Sequence, residues 1–187
     1  MKIQRIGHCH RAGRSISDGK EDSMKILTLY FSRSGHTRQA AEIIHSAVGG
    51  DIGEIRTVRN YSSSYAWAAV QGGIERWRNS LPKLQPLSVT PEEYDLLFLG
   101  SPVWWYTITP AMKSFLAAHP LRGKIVCPFL TSGGQPKDSF LDLEKALPEA
   151  DVREGFHIYF RGNTMKAYVE DIEKWARDSL AEAERKE

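Results

Sequence analysis

The sequence has little of several features that would place it in a special class of proteins. Only two cysteines, Cys9 and Cys127, occur in 187 residues. They are too few for a disulfide framework, so we expect a reducing, cytoplasmic setting. No apolar run approaches the roughly 18 residues of a membrane span, which predicts no membrane association. The hydrophobic content of 41% suits one globular domain with a sizeable core.

A charge excess is also missing from most of the chain. The formal net charge is +2, but residues 1–23 hold five of the 25 cations and three of the 23 acids. Residues 24–187 therefore carry 20 of each and are neutral, which argues against a nucleic-acid partner. Residues 1–23 also lack amphipathic periodicity and the apolar centre of a signal peptide. We predict a flexible leader over residues 1–23 and a single domain over residues 24–187.

A metal site is not expected in that leader. His8, Cys9 and His10 are adjacent, and three adjacent residues cannot easily all chelate one ion. A fourth ligand at the spacing of a zinc finger is missing as well. We therefore predict no metal.

From Lys25 onward, short apolar runs alternate with amphipathic stretches. The predicted strands are Lys25–Phe31, Asp51–Val58, Tyr94–Gly100, Lys124–Leu130 and Phe156–Phe160. The predicted helices are His36–Val48, an apolar stripe over 66–81, Pro110–Ala118, Ser139–Leu147 and a stripe over 165–180. This alternation predicts a doubly wound α/β domain with a five-stranded parallel sheet, whose ligand lies beyond the carboxyl ends of the strands.

The loop after the first predicted strand, Ser32-Arg33-Ser34-Gly35-His36-Thr37, opens directly into a helix. Small hydroxyl residues and glycine let backbone N–H groups turn inward, and the helix N-terminus adds positive potential, so the loop suits a phosphate. The loop does not end in Gly-Lys-Ser/Thr and is not GxGxxG, which disfavours triphosphates and dinucleotides. An ordinary turn with Ser34 as the helix cap is the alternative.

Two further loops lie at the same predicted edge. Ser101–Thr107 contains Trp104, Trp105 and Tyr106, which are costly to expose and can stack on a planar ring, although one tryptophan can instead cap the core. Thr131–Gln135 (TSGGQ) has glycines that permit close backbone approach and hydroxyls for a polar ring edge. Together, the three loops favour a mononucleotide with a flat ring.

These motifs resemble the flavodoxin family, whose first loop follows a Ser-x-Ser/Thr-Gly-x-Thr pattern. GSPVWW (100–105) and TSGGQ (131–135) resemble the second and third flavin loops of its short flavodoxin and NAD(P)H-reductase-like branches, and the resemblance extends over 25–180. It implies strand order 2-1-3-4-5 and FMN as cofactor. The residues implied to bind it are Ser32, Ser34, Gly35, His36 and Thr37 at the phosphate, Pro102, Val103, Trp104, Trp105 and Tyr106 at the isoalloxazine, and Thr131, Ser132, Gly133 and Gly134 at its pyrimidine edge.

The resemblance leaves the electron partners open. Single-electron carriers of the family are usually strongly acidic and commonly place a glycine beside the flavin ring. This body is neutral and has no glycine between Pro102 and Thr109. Both departures favour a reductase that takes electrons from NAD(P)H and passes them to a quinone, flavin or similar acceptor. The alternatives are an electron carrier served by a partner reductase, with a protein acceptor, and a non-catalytic FMN-bearing regulator; a homodimer is common among similar reductases.

Other classes fit the residues less well. A response-regulator receiver needs clustered acids after the first strand, and a low-molecular-weight phosphatase needs a Cys-x5-Arg loop there; Ser32 and Ser34 stand in those places. The catalytic residues stay unknown at this point, and His119 and His157 are candidate bases only in the abstract. We expect His157 to be a satisfied histidine of the last strand and Cys127 to be a buried, inert thiol.

Overall fold

The computed structural model describes residues 24–59 and 81–185. The predicted leader over 1–23 lies outside the described residues, as does the predicted helix over 66–81 apart from its last residue.

The described residues form one mostly parallel sheet. Its strands are β1 (Ile26–Phe31), β2 (Asp51–Ile55), β3 (Leu96–Trp104), β4 (Thr107–Ile108), β5 (Ile125–Ser132), β6 (Asp151–Val152), β7 (Phe156–Arg161) and β8 (Thr164–Met165). The five longer strands lie in the order β2-β1-β3-β5-β7 and run parallel. The α/β fold class is confirmed. The predicted count of five describes the longer strands and omits three strands of two residues each.

Two of the short strands form antiparallel hairpins at the carboxyl edge of the sheet. β4 pairs back on β3 and β8 pairs back on β7, while β6 extends the amino end of the sheet beside β5. β3 is longer than predicted because Ser101 and Pro102 continue its pairing with β5, opposite Leu130 and Thr131. The second predicted loop is therefore mostly a strand and its hairpin.

Four helices cover the two faces of the sheet in the described part of the chain. They are α1 (His36–Val48), α2 (Pro110–Ala118), α3 (Ser139–Ala146) and α4 (Val169–Glu184). α1 and α4 pack on one face and α2 and α3 on the other, each over its own hydrophobic cluster. Successive strand residues point to opposite faces, so Leu97 belongs to the α2/α3 cluster and Phe98 to the α1/α4 cluster.

One helix begins later than its apolar stripe predicts. α4 starts at Val169, because Met165 pairs with Phe160 in the β7–β8 hairpin and Tyr168 is extended at the helix cap, with 74% of its surface exposed. The prediction that Met165 and Tyr168 belong to this helix is wrong. The expected burial of Cys127 is confirmed; burial raises the pKa of its thiol to about 12.

The turn between α1 and β2 depends on a glycine that approaches the first strand closely. Gly50 has φ 79° and a Cβ built on it would lie 2.3 Å from the carbonyl oxygen of Ile26. Gly123 has a similar φ of 69°, but a Cβ there would have open space around it. An alanine at Gly123 would therefore introduce backbone strain alone, whereas an alanine at Gly50 would introduce backbone strain and a steric clash.

We predict that Gly50→Ala lowers the free energy of unfolding more than Gly123→Ala does. Both variants force alanine into the left-handed region, at about 1–2 kcal/mol. Gly50→Ala must also displace backbone of β1, which adds about 1–3 kcal/mol. Urea unfolding of both variants measures the difference, and equal losses would contradict the close approach.

Candidate functional site

A cleft of about 610 Å³ opens at the carboxyl ends of the central strands. Its lining comprises Arg33, Ser34, His36, Pro102, Val103, Trp104, Trp105, Thr131, Ser132, Gly133, Phe160, Gly162 and Asn163. The three loops singled out in the sequence therefore meet in one place. A second cleft, of about 640 Å³, lies along β2, where Arg38 and Arg56 are ion-paired with Glu54 at 2.8 and 2.7 Å. Because these charges satisfy one another, we place the candidate site at the first cleft.

Nine of the 14 predicted site residues line this cleft, and five do not. The lining residues are Ser34, His36, Pro102, Val103, Trp104, Trp105, Thr131, Ser132 and Gly133. The others are Ser32, Gly35, Thr37, Tyr106 and Gly134, which do not belong to the lining.

The first loop presents backbone donors at the start of α1. Gly35, at φ 91°, is the helix cap, and its N–H donates to Ser32 Oγ at 3.1 Å. The first helical bond in α1 runs from Gln39 N–H to Gly35 O, at 2.9 Å. The N–H groups of residues 36–38 therefore precede the helical ladder and add to the positive potential of the helix N-terminus. The alternative in which Ser34 caps the helix is wrong, because the cap is a glycine.

A buried hydrogen bond joins the first loop to the third. Thr37 Oγ1 and Thr131 Oγ1 lie 2.8 Å apart, and both residues are almost fully buried. A buried hydroxyl without a partner is costly, so each threonine depends on the other. This pair fixes the start of α1 against the end of β5.

The aromatic wall is a hairpin with an unusual turn. Val103 pairs with Ile108 and Trp104 with Thr107, which leaves Trp105 and Tyr106 as the two central residues. Both have left-handed φ angles, 52° and 63°, as at the central positions of a type I′ turn, where asparagine and glycine are preferred. The two residues are 52% and 53% exposed. The backbone of these two residues is therefore strained, and the strain occurs where two large rings lie at the mouth of the cleft.

The other parts of this hairpin are anchored to the protein. Trp104 packs on the α2/α3 cluster and meets the ring of Phe31 edge-on at 6.3 Å. The expectation that one tryptophan caps the core is therefore confirmed for Trp104. Lys137 Nζ lies 3.8 Å from the centre of the Tyr106 ring, a cation–π contact that ties the hairpin to the segment before α3.

The third loop is closed by a serine and a histidine. Ser132 Oγ donates to Gly134 O at 2.6 Å and accepts from Gly134 N–H at 3.2 Å. Because the hydroxyl has a single proton, His157 Nε2, 2.8 Å away, must be the donor in its contact with Ser132. His157 is thus the satisfied histidine that the sequence predicts, and burial lowers the pKa of its half-buried ring.

The fourth wall of the cleft, the β7–β8 hairpin, was missed in the sequence reasoning. Phe160 ends the buried part of β7, and Gly162, at φ 59°, turns the chain so that Asn163 returns to the cleft. His36 stacks on Phe160 with ring centres 4.3 Å apart, and its Nε2 lies 3.3 Å from Asn163 Oδ1. The available signal was the Gly-Asn dipeptide after a strand, which is typical of a hairpin.

The chemistry of the cleft suits an anion with an apolar ring. Arg33 and His36 are among its lining residues, and within the ranges 24–59 and 81–185 no aspartate or glutamate contributes to the lining. In the described residues, no group of three or more histidine, cysteine or acidic side chains is arranged to hold a metal ion. No helix in those same ranges is both long and apolar enough to cross a bilayer.

The fold and cleft define a doubly wound protein with a nucleotide-type site at the carboxyl edge of its sheet. A flavodoxin family model matches residues 25–176. The chain belongs to the flavodoxin family.

Several solved structures are similar to this chain. A Bacteroides eggerthii protein assigned as a flavoprotein is 30% identical, with TM-score 0.67, over 83% of this chain and 98% of its own. A Bacteroides uniformis protein with the same assignment is 26% identical, with TM-score 0.72, over 82% and 98%. A Lactobacillus acidophilus flavoprotein, solved in complex with FMN, is 23% identical, with TM-score 0.64, over 72% and 93%. None of the curated proteins compared with this sequence matches it.

We predict that the two buried threonines are energetically coupled. Thr37→Val or Thr131→Val alone leaves a buried hydroxyl without its partner and should cost about 1–3 kcal/mol of unfolding free energy. The double variant removes both hydroxyls and should cost less than the sum. Urea unfolding of the cofactor-free protein tests this, and strictly additive losses would contradict the coupling.

We also predict that His157 makes the protein less stable in mild acid. Its pKa is lowered in the folded protein, so the unfolded chain takes up the proton first, near about pH 6.5. Stability is therefore complete above that pH, falls as the pH drops below it, and stops falling below the folded-state pKa. The melting temperature between about pH 5 and pH 8 should decline less in His157→Gln, which does not titrate. Parallel profiles for the two proteins would refute the assignment.

Proposed function

We propose that this chain binds FMN in the cleft and acts as an NAD(P)H-dependent oxidoreductase that reduces a quinone, flavin or similar acceptor. One observation carries the proposal: His36, whose backbone N–H precedes the helical ladder of α1, and the half-exposed Trp105 line the same cleft. The first suits a phosphate and the second suits a flat, apolar ring. Membership of the flavodoxin family and the FMN complex of the Lactobacillus acidophilus relative support the same cofactor.

The residues present fit FMN at both ends of the molecule. At the phosphate end, the backbone N–H of His36 and the hydroxyl of Ser34 are donors, and no carboxylate is found among the described residues of the lining. At the ring end, Pro102, Trp104 and Trp105 form an apolar wall. The volume of about 610 Å³ is in the range of small-molecule sites.

Bound FMN would supply the electron-transfer chemistry, and the protein would supply position and electrostatics. The Thr37–Thr131 bond holds the phosphate loop against the third loop. The Ser132–His157 contact fixes the turn at Gly133, where the backbone can approach the ring edge. The strained hairpin places Trp105 as a fixed wall.

The reductase proposal is supported by the neutral body and by the mouth of the cleft. Trp105 is about half exposed there, and an exposed aromatic surface is one on which a nicotinamide ring can stack. Where carriers of the family commonly place a glycine, this chain has the Trp105–Tyr106 turn. The electron-carrier alternative is supported by family membership itself. A cytoplasmic setting, where nicotinamides are supplied, suits either activity.

We expect the purified protein to show the visible bands of bound FMN, or to acquire them on addition of FMN. NADPH or NADH, added anaerobically in separate cuvettes, should then bleach those bands within seconds. Reduction by dithionite or a partner reductase alone would identify a carrier or a regulator instead. Absence of flavin bands even with added FMN would refute the whole proposal.

A pair of charge variants controls for the place of binding. Ser34→Asp adds a carboxylate in the proposed phosphate loop and should weaken FMN binding at least about tenfold through charge repulsion. Ser46→Asp adds the same charge on an exposed position near the other end of α1 and should leave binding unchanged. Equal effects would place the phosphate elsewhere.

A further inference from the structure

We propose that Asn163 is a positioning residue that acts through the ring of His36 to make the cleft select phosphorylated flavin over riboflavin. This inference rests on the proposed function and names a determinant of ligand specificity in the same site. Asn163 lies on the β7–β8 hairpin, far along the chain from the phosphate loop.

His36 belongs to two parts of the site at once. As the first residue of α1, it contributes one of the backbone N–H groups that precede the helical ladder. Its side chain leaves this helix and crosses to the hairpin, where the ring lies nearly parallel to Phe160, at an interplanar angle of 13°. The ring thus forms part of the cleft lining beside the proposed phosphate position.

Asn163 determines the orientation of the His36 ring and which ring nitrogen carries a proton. An amide oxygen only accepts hydrogen bonds, so at 3.3 Å the His36 Nε2–H is the donor to Asn163 Oδ1. This bond and the stack on Phe160 fix the plane and the rotation of the ring. With Nε2–H engaged, Nδ1 of a neutral ring can only accept a hydrogen bond, so the ring donates to a phosphate oxygen only in its doubly protonated form, whose positive charge also attracts the anion.

The hairpin is built so that Asn163 reaches this position. Arg161 pairs with Thr164, and Gly162, with its left-handed φ, and Asn163 are the two central residues of the turn. Asn163 contributes no charge, so its contact with His36 adds no negative potential to a site proposed for an anion. A carboxylate in this position would oppose the phosphate.

FMN and riboflavin differ only by the phosphate and therefore isolate the effect. Asn163→Leu keeps a similar volume and removes the acceptor; we expect the dissociation constant for FMN to rise about fivefold or more, and that for riboflavin to change less than about twofold. Thr164→Leu, an exposed position on the same hairpin outside the lining, is the matched control and should change neither.

A double-variant comparison tests the route through His36. His36→Phe keeps a ring that can stack on Phe160 but has no ring nitrogen. In this background, Asn163→Leu should change FMN affinity less than about twofold. Melting temperatures of the cofactor-free variants show whether each one folds.

Four results of these binding measurements would overturn the inference. Equal loss of FMN and riboflavin in Asn163→Leu would mean that Asn163 supports a shared part of the ligand or merely shapes the hairpin. An undiminished FMN effect in the His36→Phe background would mean that it acts without the ring. A wild-type protein that binds both flavins equally would contradict the inference alone, whereas one that binds neither would contradict the proposed function as well.

Discussion

The parallel register of β1, β3 and β5 is the constraint on which the candidate site depends. Tyr30 lies opposite Gly100, and Gly100 opposite Phe129, so the three strands reach the same edge together. Loops that are far apart in sequence therefore emerge side by side. The 2.8 Å bond between Thr37 and Thr131 exists because this register places the start of α1 next to the end of β5.

Close contact within the sheet also shapes the site. A side chain at Gly100 would collide with the ring of Phe129, since a Cβ there would lie 2.2 Å from Phe129 Cζ. The missing side chain lets Phe129 fill the space under the α1/α4 face, just before β3 continues into the aromatic hairpin. The core and the cleft thus share residues that are adjacent along one strand.

The longer strands and most helix bounds were predictable from the sequence, because apolar runs and helical stripes of apolar residues mark the side chains that are buried. α1 and α2 have the predicted bounds, and for α2 the local signal is strong, because Thr109 caps the helix and Pro110 opens it. The two-residue strands were not predictable in this way, because Thr107 and Thr164 become strand residues only by pairing with β3 and β7. The place of Phe160 and Asn163 in the cleft was not predictable for the same reason, because their contact with His36 joins positions more than a hundred residues apart.

The Trp105–Tyr106 turn has a consequence for how this protein can vary. Asparagine and glycine would relieve the left-handed backbone at these positions, so substitutions that are favourable for the hairpin are readily available. Each would remove a ring from the mouth of the cleft. Selection for thermal robustness and selection for the cleft therefore oppose each other at this turn, and a consensus-style redesign for higher melting temperature would have to leave these two residues unchanged.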